Sequence, residues 1–230
     1  MTDSPTAPPT LRYELKFTCD SHWLTQARSW IRQHPTAFRV AYPPRTVNSL
    51  YLDTQGLNML QANLSGIGQR QKLRLRWYND TPSNPTLELK YKDNLLGGKH
   101  QHKLPITLDL AQPWPALFAA LQPHLTPAWQ LLLQTYQRPV LMNRYRREYY
   151  ASYDGQIRVT LDYDQEAFDQ QFGNRPNLHT PILMQPPIVL ELKADDAQTE
   201  RLQAIAAHFP IPRTRNSKYA NSLLTALYAI

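Results

Sequence analysis

The chain opens its patterned part with a period of two. In LRYELKF, Leu11, Tyr13, Leu15 and Phe17 fall on one face and Arg12, Glu14 and Lys16 on the other, which predicts a strand. The period then changes: DSHWLTQARSWIRQH places Trp23, Ala27, Trp30 and Ile31 at helical spacing behind Asp20 or Ser21 as N-cap. TVNSLYLDT reads as the next strand, and the stretch from Gly56 to Ser65 as a short polar helix or loop. QRQKLRLRWYN follows with Lys72, Arg74 and Arg76 on one face and Leu73, Leu75 and Trp77 on the other; TLELKYK puts Glu88 and Lys90 together, and Gly97-Gly98 marks a hairpin into KHQHKL. Pro113 to Gln137 reads as two short helices interrupted at Pro123 and Pro127. Strands resume in VLMNRYRREYYAS and, after the Asp154-Gly155 turn, in QIRVTLDYD. Gln165 to Met184 reads as an exposed loop, PPIVLELKA as the last strand, with Glu191 and Lys193 opposite Leu190 and Leu192. Two closing helices follow, DDAQTERLQAIAAHF capped by Asp195 or Asp196 and NSKYANSLLTALYAI capped by Asn216 or Ser217.

Six of these segments, RYELK, KLRLR, LELK, YRRE, IRVTLD and LELK again, set charged side chains on one strand face and bulky apolar ones on the other. In a single strand that pattern means a solvated outer face. Six strands together, with helices at 20 to 34, 113 to 137 and 195 to 230 that need an apolar sheet surface to pack on, point the other way. The apolar faces lie outward beneath the helices and the charged faces line a lumen. Like charges crowded there repel, and a polyanion removes that cost. Guanidinium groups at i and i+2 stand about 7 Å apart along a strand face, which suits neighbouring phosphates better than one carboxylate. Glu14, Glu88 and Glu191, interleaved with the cations, are placed to pair with them or to hold a divalent ion that bridges phosphate oxygens.

Composition narrows the partner. The 230 residues carry a net charge of +7, which favours an anionic ligand, but the cations alternate along apolar-rich strands instead of forming the basic runs usual in nucleic-acid binders. MTDSPTAPPT has neither a basic n-region nor an apolar h-region, and no stretch reaches the roughly 18 apolar residues of a membrane span. A flexible tail over 1–10 and one soluble, cytoplasmic domain over 11–230 are expected. Cys19 is the only cysteine, so an intrachain disulfide and a cysteine zinc cluster are excluded; beside a helix start without a base, it reads as structural. His100 and His102 read as a partly exposed strand-end pair in preference to ligands of a metal or phosphate. Asp53 either orients a lumen lysine or caps the following turn. Asp162 is placed at the lumen mouth or in a turn, and Tyr13, Tyr51, Trp77 and Tyr149 read as packing residues before nucleobase platforms.

RYELKF, SLYLDT, KLRLRWY, LELKYK, YRREYY, RVTLD, LELK and SKY, in that order, resemble the VTC (vacuolar transporter chaperone) polyphosphate polymerase domain of the triphosphate tunnel metalloenzyme, or CYTH-like, superfamily, over about Leu11 to Tyr228. The resemblance implies an α+β fold, an eight-stranded antiparallel β-barrel flanked by helices, with a basic interior for triphosphate or polyphosphate and a glutamate-held Mn or Mg ion. On it, Lys16, Lys72, Arg74, Arg76, Lys90, Arg147, Arg158, Lys193 and Lys218 are the phosphate-binding set, Arg74, Arg76, Lys90, Arg147, Arg158 and Glu191 the catalytic set, and Glu191 with Glu14 the metal ligands. Lys218 opens a helix whose backbone N–H groups can join in binding an anion. Arg12-Tyr13-Glu14-Leu15-Lys16 departs from the Glu-x-Glu-x-Lys strand of the hydrolytic tunnel enzymes, which counts against a tightly bound second metal and against ordinary triphosphatase activity. Lys99-His100-Gln101-His102 is also less basic than a VTC strand. The reading that follows is a metal-dependent transfer of the terminal phosphoryl group of ATP to phosphate or polyphosphate. Its alternatives are an inorganic or nucleoside triphosphatase, a polyphosphate-sensing module that acts on a membrane-protein partner, and last a nucleic-acid binder.

Overall fold

The computed structural model describes residues 12–93, 96–183 and 187–228; the expected tail over 1–10 lies outside them. Among the described residues nine strands form one antiparallel sheet: β1 (Arg12–Cys19), β2 (Arg39–Asp53), β3 (Gln69–Tyr78), β4 (Thr86–Asp93), β5 (Leu96–Lys103), β6 (Arg138–Ala151), β7 (Arg158–Asp169), β8 (Pro181–Leu183) and β9 (Ile188–Asp195). Eight of them close on themselves in the order β6-β2-β3-β4-β5-β1-β9-β7, with β7 returning to β6, and β8 adds to β7 outside the ring. Six α-helices among the described residues surround it: α1 (Leu24–Gln33), α2 (Asn58–Leu64), α3 (Trp114–Leu121), α4 (Pro127–Thr135), α5 (Thr199–Ala207) and α6 (Lys218–Tyr228).

The alternation sorts the side chains as expected. Leu73, Leu75, Trp77, Leu87 and Leu89 are buried with Trp114, Leu117, Trp129 and Leu133 of α3 and α4 in one hydrophobic cluster. Phe17, Val159, Leu161, Leu190 and Leu192 are buried with Ala27, Ile31, Leu202 and Ile205 of α1 and α5 in a second. The apolar core is thus a shell between ring and helices, and the ring's interior is left to the polar residues.

Ring closure is uneven. β1 pairs with β9 along its whole length, Arg12↔Asp195 to Cys19↔Ile188, but with β5 only through Arg12↔Gly97 and Tyr13↔Leu96. Further along β1, the freed edge is taken by the segment before α6: Phe17 bridges Arg213, and the Thr214 N–H donates to the Lys16 carbonyl at 2.9 Å.

Several expectations need correction. Gly97 and Gly98 lie inside β5, opposite Lys92 and Tyr91, and not at the hairpin turn; the positions between β4 and β5 lie outside the described residues. The loop expected over Gln165 to Met184 is partly strand. β7 continues to Asp169 along β6 past an irregularity between Arg144 and Arg146, and Asp164 takes the positive φ of 49° there, so the polar run DQE misled the reading. β2 starts at Arg39, before Pro43-Pro44; this half pairs with β6 alone, since β3 joins only at Val47, and prolines are tolerated where one strand edge is free. His100 and His102 are neither exposed nor in the lumen. Both are buried on the helix-facing side, His102 Nε2 lying 2.6 Å from the His124 carbonyl and its ring beside Trp129. Neither Asp20 nor Asp195 caps a helix with its side chain; Asp195 accepts from Arg12 Nε at 3.0 Å instead.

Candidate functional site

Facing residues of antiparallel neighbours share a side, so the register places the charged rows inside the ring. Arg74 lies between Tyr51 and Glu88, Arg76 between Ser49 and Thr86, and Glu88 beside Gln101. Glu14 faces Lys193, Lys16 faces Glu191, and Arg147 faces Asp162. Like charges also face each other: Lys72, Lys90 and Lys99 form one row, Arg45 opposes Arg147, and Arg158 opposes Lys193. Such pairs destabilise a sheet unless an anion lies between them.

The carboxylates partition the cations. Glu88, 1% exposed, accepts from Arg74 Nε at 2.7 Å, from Lys99 Nζ at 3.0 Å and from Gln101 Nε2 at 2.7 Å, with Arg76 at 3.7 Å. Glu14 meets Lys16 at 3.0 Å and Lys90 at 3.3 Å. Glu191 meets Lys16 at 3.0 Å, Lys193 at 2.5 Å and Arg147 at 3.6 Å. Asp162, fully buried, takes Arg147 through two bonds of 2.5 and 2.6 Å and Lys218 Nζ at 2.6 Å. Nine cations (Lys16, Lys72, Arg74, Arg76, Lys90, Lys99, Arg147, Lys193, Lys218) therefore stand against four carboxylates.

The imbalance shows in the acid–base behaviour. Burial pushes the Glu14, Glu88 and Glu191 carboxyls up, but the cations beside them outweigh it and hold all three well below the usual range. Asp162 is lowered in the same way by Arg147 and Lys218. Lys16, despite burial, is raised by Glu14 and Glu191. Lys72 goes the other way: burial, then Lys90, Lys16, Arg70 and Lys92, lower it well below an ordinary lysine. Glu14 draws the Lys90 pKa up, yet burial and Lys16 bring it to about 8. The positive field is thus least compensated around Lys72 and Lys90.

One end of this lumen is met by α6. Ser217 caps that helix, its Oγ accepting from the Ala220 N–H at 3.1 Å and from Lys72 Nζ at 2.7 Å. Lys218, the first helical residue, reaches Asp162, and the Tyr219 ring lies 5.1 Å from that of Tyr51. Asp53 settles as a cap: it accepts from the Met59 and Leu60 N–H groups at the start of α2 at 3.0 and 3.2 Å, and from the Tyr219 hydroxyl. It touches no lysine among the described residues.

Of the site residues read from sequence, Lys16, Lys72, Arg74, Arg76, Lys90, Arg147, Glu191, Glu14, Lys193 and Lys218 come together inside the ring. Arg158 is on the same strand face but exposed, at the far end from α6. Sequence reasoning missed Lys99, whose parity with Gln101 was the available signal, and Arg45, hidden behind two prolines. It also left Asp162 at a mouth or turn, where the structure buries it among cations. Tyr145, whose hydroxyl accepts from Arg76 at 3.3 Å and whose ring lies under Arg147 and Lys218, was not singled out.

Glu14 and Glu191 offer a divalent ion two ionised carboxylates on either side of Lys16. Among the described residues no group of three or more His, Cys, Asp and Glu side chains could hold a metal. An ion held by these two carboxylates would have to take its remaining oxygen ligands from a bound phosphate chain, as magnesium does.

The chain matches the VTC domain family over residues 11–227. It belongs to that family. No curated protein sequence matches it. Among solved structures, this VTC domain is similar to an adenylate cyclase candidate of Vibrio parahaemolyticus at 15% identity and a TM-score of 0.54, covering 95% of this chain and 99% of that one. It is also similar to an adenylyl cyclase candidate from Hippeastrum described as having a dominant triphosphatase activity, at 16% identity and a TM-score of 0.49, covering 91% and 93%. The first likeness concerns the fold of the VTC domain; the second adds no weight to it. No described helix is long and apolar enough to cross a membrane.

Proposed function

We propose that this VTC domain binds a nucleoside triphosphate or polyphosphate in its lumen and transfers the terminal phosphoryl group of ATP to a phosphate or polyphosphate acceptor. The observation that carries the reading is the set of nine basic side chains against four carboxylates inside the ring, with Lys72, Lys90 and Lys99 facing one another across neighbouring strands. A chain of phosphates is the ligand that relieves such a lumen along its length.

The chemistry asks for positioning and charge neutralisation more than for covalent help. The bond from the β–γ bridging oxygen to the γ-phosphorus breaks while an acceptor phosphate oxygen bonds to that phosphorus, and ADP leaves with the bridging oxygen. Arg74, Arg76, Arg147, Lys16, Lys90 and Lys193 neutralise the equatorial and leaving oxygens. Lys72 and Lys218 sit at the α6 end. Glu191 and Glu14 are the residues that would hold a Mg or Mn ion, which when bound adds charge neutralisation at the transferring group. The acceptor needs no general base, because a phosphate oxygen is already ionised, whereas water does need one. The carboxylates of the lumen are poor bases for water, since their neighbours hold them well below the usual carboxylate range. This favours a phosphate acceptor over hydrolysis.

The test is incubation of the purified protein with ATP and Mg or Mn, with separate assays for long-chain polyphosphate and orthophosphate. Chain growth is expected. Orthophosphate alone would replace transfer by hydrolysis, and tight tripolyphosphate binding without turnover would make the domain a sensor.

A further inference from the structure

The two ends of the lumen differ in chemistry. The α6 end holds ammonium and hydroxyl groups, and its rings, Tyr51 and Tyr219, are buried against each other. The opposite end, where β3 and β6 finish and β4 and β7 begin, holds aromatic rings that are open to solvent. Tyr78, the last residue of β3, faces Val47 on the inward side; Tyr149 faces Thr160 likewise. Tyr42 of β2 stands opposite Tyr149 of β6, their rings edge to face at 5.8 Å. Between them lies Arg45, with its guanidinium 4.5 Å from the Tyr78 centroid, 4.9 Å from Tyr149 and 5.6 Å from Tyr42. Tyr42 is 59% exposed and Tyr78 40%, and the Arg45 Nε is buried with no hydrogen-bond partner.

We infer that this tyrosine mouth is a platform for the base of a nucleoside triphosphate whose phosphates occupy the lumen. The inference rests on the tunnel reading above and adds the end by which the nucleotide enters. A linear polyphosphate has nothing to offer three phenol rings. A nucleotide has a flat ring at one end and its charge at the other, the same polarity as this lumen. Flat π-faces and a guanidinium plane are what unpaired bases stack on, without need of a base-specific hydrogen bond. The spacing agrees: Arg45 is the direct cross-strand neighbour of Arg147, and Arg76 lies one inward position before Tyr78 on β3. One step of about 7 Å along a strand face thus leads from the rings to the first cations that would meet the triphosphate.

The experiment compares ATP and tripolyphosphate binding by calorimetry, and quenching of 1,N6-ethenoadenosine triphosphate fluorescence, in wild type, Y42A/Y78A and Y78F. The expected result is an ATP affinity about tenfold weaker in Y42A/Y78A, the scale of one lost base stack. Tripolyphosphate affinity should stay within about twofold, ethenoadenosine quenching should be lost, and Y78F should behave as wild type. Because the Tyr42 and Tyr78 rings are partly open to solvent, their removal should leave the fold intact, and equal melting temperatures check this. If ATP binds the double variant as tightly as wild type, or if ATP and tripolyphosphate weaken together, the platform is overturned while the tunnel stands. If wild type binds neither ligand, the tunnel reading itself falls and takes the platform with it.

Discussion

At the scale of single residues, the arginines of β3 differ in what their loss exposes. Arg74→Ala removes a direct partner of Glu88, which keeps Lys99 and Gln101; Arg76→Ala removes a donor to Ser49 and Tyr145. Each should weaken tripolyphosphate binding by about 1.5–3 kcal/mol, the scale of a charge-assisted hydrogen bond, as read by calorimetry. Glu191→Gln removes a proposed metal ligand but no cation, so metal-dependent turnover should vanish while tripolyphosphate binding persists. Equal loss of both would make Glu191 an organiser of Lys16, Lys193 and Arg147. The Lys90 pKa of about 8 gives a pH signature with two opposite signs. Below pH 8 the folded protein holds this charge at a cost; as pH rises from there toward the ordinary lysine value, the folded state releases the proton first, so the free protein gains stability. Over the same range the lumen loses a cation and binds the polyanion less well. Lys90→Arg stays charged, and the difference in pH profile between wild type and variant, in melting temperature and in affinity, isolates the effect.

At the scale of elements, α2 and α6 share one anchor. Asp53 caps α2 through two backbone N–H groups and receives the Tyr219 hydroxyl of α6 while fully buried. Asp53→Ala leaves these donors unsatisfied and should cost about 2–4 kcal/mol in urea unfolding, and it should loosen Lys72 and Lys218 through the displaced α6. Asp53 was legible in the sequence only as a choice between cap and lysine partner, because both roles put an aspartate at a strand end. The charged strands were legible for a firmer reason: KLRLR and LELK alternate over enough residues that parity alone assigns a side, and the helices need the other. What parity cannot supply is register and edge. Arg45 was lost because Pro43-Pro44 argues against a strand unless one knows that this half of β2 has a single neighbour. The extension of β7 was lost because Asp164 breaks the alternation where the chain bulges. His100 and His102 were misplaced since a histidine pair on alternate residues looks polar, whereas here His100 packs against Tyr91 and His102 against Trp129 of α4.

At the scale of the whole molecule, the apolar material forms a shell and the charge is enclosed. Enclosed cations are screened by salt less than surface ones. Tripolyphosphate binding should therefore fall only modestly between 50 and 200 mM salt, where duplex DNA held by several surface contacts loses about 10³ to 10⁵ in affinity. Competition titrations at the two concentrations check this, and efficient displacement of tripolyphosphate by DNA at low salt would overturn the enclosed site. Ligand should also raise the melting temperature, since it binds only the closed ring.

The pairing of β1 with β9 joins residues 12–19 to residues 188–195 along eight consecutive positions, while β5, nearer in sequence, contributes two. Most of the closure of the ring is therefore non-local, and the entropy of that long loop must be met before its contacts form. Synthesis delivers β1 first and its partner near the end, so the nascent chain carries β1 as an unpaired edge for most of its length. Refolding should be slow for a protein of this size, with β1 and β9 amides gaining exchange protection after those of the β3–β4 hairpin. Polyphosphate added during refolding should speed the last phase, because the two strands bring Lys16, Glu14, Glu191 and Lys193 together only when they meet.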